Sequence, residues 1–306
     1  MTRRQAFALP RENLVVIGIL LMLLGNFVFA LNDVMAKWLV ASYSVGQVLL
    51  LRSIGAFAVL APMIARQGVP AAVRPERPGM QALRMIFATA DTALFFAAVA
   101  YLPLADVMTF YMAGPIYVAA LSHLFLGEKV GWRRWLAIFV GFCGVVVALR
   151  PSAASLSLPS LYAVAGSLAF ALSMILGRQL RGTSDTVLVT WQNMGVLVLG
   201  LVLAVADWRA PEGMSWAAML LLGVASSLAH MMTTRALKLA PASALAPLQY
   251  TMLLWGIVFG FIVFGDVPDG QLLAGSAVIA LSGLFIFHRR RVRKQDLSAD
   301  MRQGTR

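Results

Sequence analysis

The sequence predicts an all-α integral membrane protein of ten transmembrane helices, arranged as two inverted five-helix repeats with both termini in the cytoplasm. Three observations carry this. Hydrophobic residues make up 60% of the 306 and charged residues only 12%, where a soluble domain is about half apolar and about a quarter charged. The basic residues fall on one side of the alternating apolar runs. The second half of the chain also echoes the first.

A span needs about 20 mostly apolar residues. Ten stretches qualify, at about 13–39, 44–65, 80–101, 104–126, 133–150, 157–179, 186–207, 214–237, 241–265 and 269–288. The first, from Leu14, is too long for a signal-peptide core and lacks a clear small-residue cleavage site, so it reads as a retained span. The connections are short, which leaves no room for an attached soluble domain. The expected organisation is a cytoplasmic segment 1–12, repeats 13–150 and 157–288, and a basic cytoplasmic tail 289–306.

Orientation follows from the bases. With the amino terminus inside, 21 of the 25 Lys and Arg fall on inner segments, among them Arg66, Arg84, Lys129, Arg133, Arg134 and seven in the tail. Lys37, Arg150 and Arg209 are outside, and Arg52 lies within the second span. This bias matches the positive-inside rule. It also accounts for the +12 net charge as a topology signal, leaving no reason to expect nucleic acid. The partners expected are a lipid bilayer and a small-molecule substrate. The sequence carries no sign of an oligomeric state, and a monomer suffices.

The repeat rests on two matches. At a constant offset of 138, Pro103 falls on Pro241, Gly127 on Gly265 and Glu128 on Asp266. "FALNDVMAK" (29–37) also aligns with "FALSMILGR" (170–178). Five spans is an odd number, so the second half enters the membrane with opposite polarity. Inverted repeats favour alternating access around a central site where the halves meet.

An apolar span ending "LFLGE", a short basic turn and then "GWRRWLAIFVGFCGVVVALRP" resemble the EamA domain of the drug/metabolite transporter (DMT) superfamily. "FIVFGDVPDGQLLAGSAVIALSGLFIFHRRR" is a weaker copy, with Asp266 where the family commonly has Glu. The resemblance spans about 14–289. It implies a ten-helix carrier of small metabolites with a central cavity. Within the family the chain looks most like bacterial amino-acid exporters of the YddG (aromatic amino acid exporter) type, and also like riboflavin-type vitamin importers. The first gives the leading expectation, export of amino acids including aromatic ones. The second is the alternative.

Polar side chains inside spans are costly and face a cavity or a partner. Asn26, Asp33 and Lys37 share one helical face, and Asp33 and Lys37 are spaced i,i+4 near the outer end. They form either a structural ion pair or an outer gate. Asp91 sits in the middle of the third span, with Arg52 as its candidate partner and Phe87 and Phe95 flanking it. It is either a structural contact or a site for a substrate amine or a proton. Ser227 and His230 lie on a one-faced stripe of the eighth span. His230 could titrate near neutral pH or simply pack. Tyr111 and Met112 in the fourth span correspond to Gln249 and Tyr250 in the ninth. Tyrosine beside an amide suits a substrate that joins a ring to a zwitterion, and interhelical hydrogen bonding is the other reading.

The candidate substrate-binding set is therefore Asn26, Asp91, Tyr111, Met112, Ser227, His230, Gln249 and Tyr250, with Asp33, Lys37 and Arg52 as gating or ion-pair residues. The single cysteine, Cys143, forms no internal disulfide and no cysteine metal cluster. The sequence holds no phosphate loop, nucleophile elbow or zinc-protease motif. No catalytic residue, metal or cofactor is expected. A membrane enzyme or scaffold is the reading from a different class.

Overall fold

A computed structural model describes residues 11–70, 75–114, 116–118, 120–121, 132–149, 157–180, 182–239, 245–282 and 284–285. The amino-terminal segment, Pro115, His123, the turn at Glu128 and Lys129, Pro241 and the basic tail lie outside these residues. So does Arg150. Among the described residues the structure is helical, without strands.

Six helices are long and apolar enough to cross a membrane. They are α1 (Arg11–Val40), α2 (Val45–Gln67), α3 (Pro78–Val99), α6 (Leu158–Gln179), α7 (Asp185–Ala204) and α8 (Gly213–Leu239). Four apolar helices are shorter: α4 (Leu104–Tyr111), α5 (Trp132–Leu149), α9 (Thr251–Phe264) and α10 (Gly270–Ser282). Their starts follow local chemistry. Ser44, Ser157 and Ser184 each accept a hydrogen bond from the third amide of α2, α6 and α7, satisfying a donor that a helix start leaves free. Proline stands in the first turn of α3 and α6, where its missing N–H is no loss.

The outside of the bundle is apolar. Phe139, Val202, Phe261 and Ile262 are all largely exposed. Such a surface fits hydrocarbon and does not fit water.

The helices pair in a pattern. The most extensive packing joins α1 to α8, α2 to α7 and α3 to α6, with α8 also against α2. Helix α4 meets α9, α1 meets α9, and α6 meets α4. Exchanging each helix with the one five places further on turns each of these contacts into another that is present: α1–α8 becomes α6–α3, α8–α2 becomes α3–α7, and α1–α9 becomes α6–α4.

Two of the short helices are interrupted. After Tyr111, α4 passes through a tight turn in which the Ala113 amide bonds Phe110 O at 3.1 Å. Before α9, residues Ala246–Tyr250 form a 3-10 turn containing Pro247. Within the ninth expected stretch, about 241–265, the described residues begin at Leu245, and this turn runs into α9. Pro247 removes a backbone donor, and Leu248 O is taken by the Asn26 and Thr251 side chains at 2.7 and 2.6 Å. At the repeat offset of 138, the α4 turn at Met112 coincides with Tyr250.

Glycine sets the closest approach. At Gly223 of α8 an added Cβ would overlap the Arg52 carbonyl of α2, and at Gly55 of α2 it would overlap the Leu220 carbonyl of α8. Both positions admit only hydrogen. The Gly223→Val variant is therefore expected to lose about 1–3 kcal/mol of stability. Gly79→Ala, where nothing lies within 4 Å, should change little. Thermal unfolding in detergent checks this, and equal melting of the two variants would contradict it.

Candidate functional site

Four polar side chains come together from four helices of the first half. Asp33 lies seven residues before the end of α1, Arg52 seven after the start of α2, Asp91 eight before the end of α3 and Tyr111 seven after the start of α4. At 1.5 Å per residue each is about 11 Å from that helix end, so the four share one level of the bundle. Each is half-buried.

The Tyr111 hydroxyl donates to Asp91 Oδ1 at 2.8 Å. Arg52 is within electrostatic reach of both Asp33 and Asp91, and the two carboxylates act on each other. No direct ion pair joins Arg52 to either acid. Its guanidinium instead stands 5.1 Å over the Phe96 ring, so the expected Asp91–Arg52 pairing is electrostatic and not a direct contact. Two carboxyl groups, one guanidinium and one phenol thus form one polar cluster within the bundle.

Aromatic rings line the same region. Tyr111 meets Phe95 edge-on at 5.3 Å and Phe170 at 6.3 Å. Gly166 leaves space for the Tyr111 hydroxyl, since a Cβ there would crowd it. Phe29 packs edge-on against His230 at 4.8 Å. Edge-on contacts of this kind are a favoured geometry for aromatic pairs.

The other expected residues are placed as follows. Asn26 is buried, and its amide donates to Leu248 O at 2.7 Å and Thr251 Oγ1 at 3.1 Å, which makes it a strut between α1 and the interrupted ninth segment. Met112 is buried in the α4 turn. Gln249 and Tyr250 are half-buried in the 3-10 turn. The Ser227 and Tyr250 hydroxyls are buried without a hydrogen-bond partner, as groups awaiting a ligand or another conformation would be.

Two expectations are corrected. Lys37 does not pair with Asp33. Its ammonium bonds Asp266 Oδ2 at 2.6 Å and lies 4.4 Å over the Phe264 ring. Gly265 makes this possible: its left-handed backbone, φ 71, turns the chain after α9 so that the Asp266 amide bonds Gly260 O at 3.1 Å. The tie joins the first half of the chain to the second. Arg84, counted with the inner loop bases, lies inside α3. It donates to Leu188 O of α7 at 3.0 Å, and its Nε is buried without a partner. Its spacing of seven from Asp91, two turns along one face, was the available signal. Gln81, one turn nearer the start of α3, is fully buried with both amide atoms unpartnered.

An apolar-surfaced helical bundle with a cluster of polar and charged side chains inside it is the frame of a polytopic membrane protein. The chain belongs to the EamA-like transporter family, whose model matches residues 16–150 and again 157–288. It is 30% identical over 274 residues to a riboflavin transporter of Vibrio cholerae, covering 88% of this chain and 92% of that protein. It is 27% identical over 275 residues to an S-adenosylmethionine uptake transporter of Rickettsia bellii (89% and 94%). It is 27% identical over 277 residues to a pseudopaline exporter of Pseudomonas aeruginosa (87% and 94%). These relatives are named for three different cargoes.

The Lys37–Asp266 tie is testable by a double-mutant cycle. Lys37→Gln and Asp266→Asn should each lower the melting temperature, the double variant should fall no further than the worse single one, and the charge swap should recover part of the loss. Strict additivity of the two single effects would contradict a direct tie.

Proposed function

We propose that the chain is a secondary carrier of a bacterial inner membrane, with ten spans in two inverted repeats that rock about the Asp33–Arg52–Asp91–Tyr111 chamber. Its cargo is a metabolite that joins a planar ring to a polar, charged portion. The observation that carries this is the Tyr111–Asp91 hydrogen bond set between Phe95 and Phe170 with Arg52 close by. Interrupted helices at corresponding places in two halves point to a midplane binding site. The contact pattern, unchanged when helix n is exchanged with helix n+5, supports the repeat reading.

Riboflavin is the first cargo to try, because the relative at 30% identity is named for it and the aromatic wall suits a flavin ring. Amino-acid export is the second reading. The observation that favours it is the presence of both charge signs at one depth, which suits an α-amino and an α-carboxylate group on the same guest.

Purified protein in liposomes decides between them. Riboflavin, S-adenosylmethionine, tyrosine and tryptophan are each placed on one side and followed across. The expected result is saturable movement of riboflavin, competed by the other ring-bearing compounds more weakly. Movement of tyrosine and tryptophan without riboflavin would install the amino-acid reading. If none of the four moved, the carrier reading would fail for this cargo class.

A further inference from the structure

A cavity of about 430 Å³ opens at the outer face, away from the chamber described above. Tyr43 in the α1–α2 turn, Tyr101 after α3, Tyr162 of α6, and Asp207 and Arg209 between α7 and α8 line it. Both halves of the chain contribute. The size lies within the range of small-molecule sites.

Its wall is built, not incidental. Gln47 is fully buried and clamps the Arg209 backbone from both sides: Nε2 donates to Arg209 O at 2.6 Å, and the Arg209 amide donates to Oε1 at 3.1 Å. The guanidinium also reaches Ser42 O at 3.3 Å. The Glu212 amide donates to the Tyr43 hydroxyl at 3.3 Å. Within this frame the Arg209–Asp207 pair is long, at 3.6 Å, with side chains 64% and 58% accessible. An exposed pair of this kind is weak and can exchange partners with an arriving dipolar molecule.

The position of the cavity relative to the chamber repeats on three helices. Along α1 the order from outside is Val40, buried Leu39 and Ala36, then Asp33. Along α2 it is Val45, buried Val48 and Leu49, then Arg52. From the far end of α3 it is Tyr101, buried Val99, Phe96 and Phe95, then Asp91. On each helix a lining residue of the cavity is followed by an apolar layer and then by a charged residue. The apolar layers belong to one packed cluster. The outer cavity is thus a vestibule, shut off from the chamber by a dry plug in this conformation.

We propose that the vestibule is a first binding site for cargo on the outer side. Three phenol rings and one charge of each sign give it the same chemistry as the chamber below, a ring-bearing polar metabolite. It holds that molecule until the plug parts. This inference rests on the carrier reading.

The test uses a single reporter cysteine at Ala100→Cys, which lines the cavity, in a Cys143→Ser background. Ser42→Cys on the opposite wall serves if the first variant does not reconstitute. A membrane-impermeant maleimide labels the reporter in liposomes from outside. Riboflavin, S-adenosylmethionine and tyrosine are each added, and their movement is measured in the same vesicles. The expected result is that the transported compound slows labelling at least threefold and that Arg209→Gln removes the protection. If a compound crosses but leaves labelling unchanged, the vestibule site is overturned and the carrier reading stands. Protection by a compound that does not cross overturns the proposal as well, since the pocket then serves another ligand. If nothing crosses and nothing protects, both fail.

Discussion

Inside hydrocarbon a polar group has no water to turn to, so it must find a partner in the protein or face a wet chamber. The bundle is organised by how each buried polar group meets this demand. Asn32 donates to Leu222 O at 2.6 Å and Asn26 to Leu248 O at 2.7 Å, so two amides of α1 are used up in holding α8 and the ninth segment. Arg84 holds α7 by Leu188 O. Asp33, Arg52 and Asp91 are different. They influence one another without closing into ion pairs among the described residues, and polar groups left open in a membrane are expensive. The proposed cargo site supplies a reason for keeping them.

The same constraint shapes the ties between the two halves. At one end of the bundle they are an ion pair, Lys37–Asp266, and a side chain-to-backbone clamp, Gln47–Arg209. Toward the other end of α2, Gln67 donates to Thr186 Oγ1 at 3.1 Å and accepts from Ser184 Oγ at 3.1 Å. Hydrogen bonds and partly exposed pairs of this sort are each worth about 1 kcal/mol. Ties that weak hold one conformation without freezing it. Alternating access needs that balance, because a carrier must visit both states at comparable free energy. The glycine contacts of α2 with α8 set the opposite extreme: a close interface that fixes the backbone at Arg52.

Much of this was legible in the chain. Apolar length and composition predict the helices, and the six long ones lie close to where the sequence places them. The interruptions at Met112 and Tyr250 sit on residues that the repeat offset had already aligned. Asp91 and Tyr111 were both picked out as polar groups within spans, although nothing in the spacing says that one bonds the other. What escaped was the identity of partners. An i,i+4 spacing made Asp33 the natural mate of Lys37, but Asp266, 229 positions away, is presented by a left-handed glycine turn that pattern alone does not aim. Arg84 was read as a loop base because it lies only two turns into a helix. Basic residues near span ends are ordinary, and only packing distinguishes a buried one. The vestibule was invisible for the same reason, since its walls come from four separate connections and helix ends.

The central claim is that cargo is held at the Asp91–Tyr111 hydrogen bond, and Tyr111→Phe tests it with least disturbance to the rings around it. The dissociation constant of whichever compound the protein transports should be measured for wild type and variant, alongside thermal stability. The account predicts binding about tenfold weaker, the loss expected for a hydrogen bond to a charged group, in a protein that melts within a few degrees of wild type. Unchanged affinity in a well-folded Tyr111→Phe protein would contradict it and move the cargo site elsewhere in the bundle.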